Sequence, residues 1–171
     1  MTHRLAFGLA LFAILAAAPT RLGAAEPDIR VVDLAGLDAA LRAQRGHAVL
    51  LTFWAIWCEP CVEELPGLLE VGRDFRDRGG VVLTVSYDLM VPGATRPEVL
   101  RQMREFVAAR QVDAPVLIYD GPDYDAINAR LGLPGIVPAT LVIDRAGTIL
   151  ERHVGRADKA HFTAMMLRAL N

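Results

Sequence analysis

Two cysteines occur in 171 residues, and both fall in Trp57-Cys58-Glu59-Pro60-Cys61. A bond between them closes a loop of about four residues, which by chain entropy yields about 2 kcal/mol, against about 4.7 for a hundred-residue loop. Stability is a poor reason for this spacing, and reactivity is a better one. The apolar, β-favouring run from 48 to 54 reads as a buried strand, and a helical pattern opens at Cys58. A helix start presents free N–H groups and partial positive charge, both of which favour a thiolate over a thiol. Cys58 is therefore the expected nucleophile, and Cys61 lies close enough on the same turn to attack its sulfur. Pro60 falls in the first turn, where its missing N–H costs nothing.

At about 100° per residue, Cys61 shares a face with Val62, Leu65, Leu68 and Leu69, while Glu59 and Glu63 point to solvent. The pair divides into an accessible Cys58 and a protected Cys61. Glu64 lands on the border of the core, between Leu68 and the later Val71 and Phe75. On that geometry it reads equally as a solvated helix carboxylate or as a partly buried one. Core packing accounts for Trp54, whereas Trp57 is the candidate for an apolar surface that meets a substrate. His47, His153 and His161 are dispersed with no metal-ligand spacing, so packing is their default and no metal is expected.

Phe53-Trp54-Ala55-Ile56-Trp57-Cys58-Glu59-Pro60-Cys61 resembles the active-site segment of the thioredoxin superfamily, with Pro66 at that family's helix proline. Within it, Cys58-Glu59-Pro60-Cys61-Val62-Glu63-Glu64-Leu65-Pro66 is most similar to the exported TlpA/ResA-like branch, whose members reduce specific disulfides, notably in cytochrome c maturation. The resemblance implies a redox-active Cys58-Cys61 disulfide with no other cofactor. It implies as partners substrate proteins carrying a disulfide, apocytochrome c among them, and a membrane electron donor of the thiol-disulfide transporter type. Gly135-Ile136-Val137-Pro138-Ala139-Thr140 resembles the loop whose proline is cis and faces the active site, where spacing alone would leave Pro138 an ordinary loop proline. By the same resemblance the backbone of Val137 pairs with an extended substrate chain. Trp57, Glu59, Pro60 and Pro138 then belong to the same substrate-binding side. One departure stands out: thioredoxins proper keep a buried aspartate six residues before the first cysteine, and here that position is Thr52. Threonine cannot take the proton that Cys61 releases. Glu64 resembles the carboxylate that does so in ResA-like proteins, which implies a partly buried group with a raised pKa.

The remaining elements must hold these residues in place. Coarse patterning gives strands at 29–32, 81–87, 116–119, 139–143 and 148–154. It gives helices at 37–44, 98–110 and 123–131, and a last one carrying Phe162, Met165, Met166, Ala169 and Leu170. That order fits an α/β fold with a mixed central sheet flanked by helices. It resembles a thioredoxin fold over residues 26–171, with the helix from Glu98 and the strand from Val116 as the helix-strand insertion of the TlpA and peroxiredoxin-like branches.

Residues 1–25 read as a signal peptide. A short basic start precedes an uncharged run from 5 to 18, and small residues at Gly23-Ala24-Ala25 suit cleavage. Pro19 and Arg21 stop the run short of the roughly 20 apolar residues that a membrane span needs, although an uncleaved N-terminal anchor is the alternative. The expected location is the periplasm or another exported site, where two cysteines are too few for a disulfide scaffold. With 18 Lys and Arg against 20 Asp and Glu there is no basic field for nucleic acid. A hydrophobic content of 53% excludes disorder.

Three other activities share parts of this pattern. A peroxiredoxin-like peroxidase needs Thr-x-x-Cys, and neither cysteine has a threonine three residues before it. A copper-binding chaperone would use both thiolates with a distant histidine. A disulfide-forming oxidase has the same architecture, and only the branch resemblance sets it aside.

Overall fold

The computed structural model describes residues 27–122 and 124–171, so the expected signal peptide lies outside the described residues. Along the chain run β1 (Ile29–Val32), α1 (Leu34–Ala43), β2 (Ala48–Trp54), α2 (Glu59–Phe75), β3 (Gly80–Ser86) and α3 (Arg96–Arg110). They are followed by β4 (Val116–Tyr119), α4 (Tyr124–Leu131), β5 (Ala139–Ile143), β6 (Ile149–Val154) and α5 (Lys159–Leu170). α1 begins at Leu34 rather than Leu37 because the Asp33 carboxylate accepts the Gly36 N–H at 2.8 Å and caps the helix there. α3 begins at Arg96 rather than Glu98, with Pro97 accommodated in its first turn.

The six strands form one sheet in the order β1-β4-β3-β2-β5-β6. β1, β4, β3 and β2 pair in parallel, while β5 pairs antiparallel with β2 and with β6. This is the mixed sheet of a thioredoxin fold. The inserted α3 and β4 widen it, because β4 sits between β3 and β1.

β2 is buried along its whole length, so its side chains feed two cores in alternation. Ala48, Leu50 and Trp54 join residues of α2, α3 and α5 on one face. Val49, Leu51 and Phe53 join Leu37 of α1 and Ile127 and Leu131 of α4 on the other. Thr52 falls on the α2 face by the same alternation. It shares a hydroxyl–hydroxyl hydrogen bond of 3.0 Å with Thr140 across the β2–β5 pair, which satisfies both groups without any charge.

Two of the histidines pack against each other. His153 and His161, far apart in pattern, are brought together where β6 turns into α5, with ring centroids 4.4 Å apart. The Nε2 atoms of both are buried and have no hydrogen-bonding partner among the described residues.

Candidate active site

β2 ends at Trp54, and the turn Ala55–Cys58, closed by the Cys58 N–H donating to the Ala55 carbonyl at 3.1 Å, delivers the chain to α2. Cys58 is the N-cap residue, with extended backbone and no side-chain capping bond, and Pro60 occupies the first turn. Cys58 and Cys61 are disulfide-bonded, with Cα atoms 5.3 Å apart. The helix N-terminus therefore faces sulfur, as a stabilised thiolate requires.

The expected contrast in accessibility is only partly present. Cys61 is 1% exposed, yet Cys58 is itself only 5% exposed, and both belong to the core on the α2 face. The exposed group is Trp57, at 58%, while Trp54 is buried and packs against Phe106 at 5.3 Å between ring centroids. Glu59 and Pro60 lie exposed beside the disulfide.

Glu64 lies one helical turn beyond Cys61 and is 6% exposed, which overturns the solvated reading. Its Oε2 accepts the Ala157 N–H at 2.9 Å, a donor that comes from the β6–α5 connection. Burial pushes its pKa up to about 7, and the Ala157 N–H and the nearby Arg156 only partly oppose that rise. Such a carboxyl can take and release a proton near neutral pH.

The loop before β5 reaches the same end of the sheet. Phe53 pairs with Ala139, so Pro138 arrives level with the last residues of β2. The Val137–Pro138 peptide is cis, and the Pro138 carbonyl accepts the Gly155 N–H at 2.9 Å. Val137 is half-buried against both cores, leaving Ile136 exposed at 60%. Gly135 has a φ of 76°, a conformation that side chains disfavour, and its carbonyl accepts the Tyr124 hydroxyl at 2.9 Å.

Asp88 was not singled out by sequence, since it follows a strand and reads as the start of a loop. It is 6% exposed, and its two carboxylate oxygens accept the Ile56 N–H at 3.1 and 3.2 Å. Ser86 Oγ donates to it at 2.6 Å. Burial raises its pKa, against the pull of the Ser86 and Ile56 donors. A readable signal existed: Ser86-Tyr87-Asp88 ends a strand parallel to β2, and in α/β sheets the carboxyl ends of such strands carry the site. Asp88 lies along a groove of about 280 Å³ with Trp57, Val91, Ala94, Glu98 and Gln102.

Residues 22–152 match the family described as AhpC/TSA. The chain belongs to that family. Among its relatives, the thioredoxin-like protein YneN of Bacillus subtilis is 32% identical over 137 residues, covering 80% of this chain and 74% of that one. The thiol-disulfide oxidoreductase ResA of Bacillus thuringiensis is 27% identical over 139 residues, 81% of this chain and 73% of its own. The crystal structure of a protein described as thiol:disulfide interchange protein DsbE, from Chlorobium tepidum, superposes with a TM-score of 0.60 at 28% identity. That match covers 77% of this chain and 85% of that one. This AhpC/TSA family member is thus a ResA-like protein of the thioredoxin superfamily, and a thiol-disulfide oxidoreductase.

Proposed function

We propose that the protein is a reductase of specific protein disulfides in an exported compartment, with apocytochrome c as the leading substrate class. The Cys58 thiolate attacks one sulfur of a substrate disulfide. A mixed disulfide forms, and the second substrate sulfur leaves as a thiolate that takes a proton from solvent. Cys61 then gives its proton to Glu64 and attacks the Cys58 sulfur. The mixed bond breaks, the substrate sulfur leaves as a thiolate that takes the proton from Glu64, and the substrate departs as a dithiol while the Cys58-Cys61 disulfide remains, two electrons having passed to the substrate. A membrane electron donor of the thiol-disulfide transporter type returns those two electrons. Trp57, Glu59 and Pro60 present the substrate-facing surface, and Val137 and Pro138 receive the substrate backbone. Residues 1–25 direct export.

The observation that carries this reading is the buried Glu64, one turn beyond Cys61, with a pKa of about 7. A resolving thiol needs a nearby acceptor of that kind. A peroxidase reading lacks its threonine, since Ala55 stands three residues before Cys58. The reduction potential of the couple, titrated in thiol-disulfide buffers with tryptophan fluorescence, tests the direction of flow. A value near or below about −250 mV supports the reductase, whereas a value near about −120 mV makes the protein an oxidase. Cys61→Ser is expected to accumulate mixed disulfides with substrate proteins on non-reducing gels, and Cys58→Ser to form none.

A further inference from the structure

The turn Ala55–Cys58 cannot satisfy the Ile56 amide itself. Its closing bond uses the Cys58 N–H and the Ala55 carbonyl, which leaves the Ile56 N–H without a partner inside the turn. Asp88 supplies that partner with both oxygens, at 3.1 and 3.2 Å, across 32 residues of chain. The carboxylate is itself immobilised. Ser86 Oγ donates to Oδ2 at 2.6 Å and accepts the Asp88 N–H at 3.1 Å, so the side chain is folded back onto its own strand. Between these two contacts the Tyr87 N–H donates to the Trp54 carbonyl at 2.9 Å, tying the end of β3 to the end of β2.

We infer that Asp88 is a positioning residue for the thiol chemistry: by clamping the Ile56 amide it fixes the turn that sets Cys58 against Cys61. It acts through Ile56 rather than on sulfur. The stability of a disulfide relative to its dithiol measures how well the fold presents one sulfur to the other, as an effective concentration. A turn held at Ile56 raises that effective concentration, and a turn released there lowers it. The inference needs only thiol-disulfide exchange at Cys58 and Cys61, and holds whichever way electrons run between protein and substrate.

The equilibrium constant of the couple with reduced and oxidised glutathione tests it, read on Asp88→Asn and Asp88→Leu beside the unsubstituted protein. Asparagine removes the charge but keeps an acceptor for Ile56, whereas leucine removes both, so the two variants differ in the clamp. Asp88→Leu is expected to fall at least about tenfold below Asp88→Asn, with Asp88→Asn within about threefold of the unsubstituted protein. A residue that only supports the fold would lower the thermal midpoint of Asp88→Leu and leave this constant unmoved. Constants for the two variants that agree within about twofold overturn the inference. Should Asp88→Leu not fold, Ser86→Ala decides in its place: it frees the carboxylate from its strand and is expected to lower the constant about threefold, and an unchanged constant overturns the inference.

Discussion

Glu64 and Asp88 are both carboxylates buried to the same extent, both within a few residues of the disulfide in space or chain, yet their surroundings differ. Asp88 receives the Ile56 N–H on both oxygens and a hydroxyl from Ser86. Glu64 receives one amide, from Ala157, with the Arg156 charge nearby. A carboxylate saturated with donors is suited to holding geometry, because moving it breaks several bonds together. One with a single donor pays its desolvation largely uncompensated, and so exchanges its proton in the physiological range. The number of donors around each group differs where the depth of burial does not, which fits the proposed roles of Asp88 as anchor and Glu64 as proton carrier.

The widest separation between the two is expected in the resolving step. Glu64→Gln should slow the release of a mixed disulfide at neutral pH by about a hundredfold, the usual contribution of a positioned proton acceptor, with Asp88→Asn slowing it about threefold at most. Quenched-flow analysis of a fluorescent disulfide peptide would measure both, and equal effects would erase the distinction. Stability against pH sharpens it further. Glu64 has a folded pKa raised from 4.5 to about 7, so its contribution favours the native state at acid pH and is lost as pH rises between those values. Urea unfolding of the oxidised protein should therefore weaken from pH 5 to pH 8 by on the order of 2–3 kcal/mol, and Glu64→Gln should flatten that slope. The smallest effect belongs to a bond that involves neither carboxylate. Tyr124→Phe removes the hydroxyl that holds Gly135 and should destabilise by about 1 kcal/mol, with the pH profile unchanged.

Much of this was legible in the sequence. The central strands β2, β3, β4 and β5 read correctly because each is an apolar, β-favouring run, and the insertion read correctly because the spacing of Val99, Met103 and Val107 has a helix period that a short strand then follows. Glu64 could be placed at the core border because a helix fixes angles from a single starting residue. Its burial could not, since that depends on Ala157, at a sequence distance of 93 residues. Asp88 escaped for the same reason. Its partner is a backbone amide, which carries no residue-type signature, in a turn that follows β2 and meets the end of β3 only once the sheet has formed. The meeting of His153 and His161 depends likewise on how β6 passes into α5, and no local pattern encodes it.

The long reach of the Ala157–Glu64 bond also orders the events of synthesis. A chain emerging from its N-terminus presents Cys58 and Cys61 together, and the Ile56 clamp can close as soon as Asp88 follows. The donor that secures Glu64 arrives only with the final stretch, just ahead of α5. Thiol pairing is available to a half-made chain, whereas the Ala157–Glu64 contact waits for the last stretch to dock. A chain truncated before Ala157 therefore lacks the donor that holds the Glu64 carboxyl.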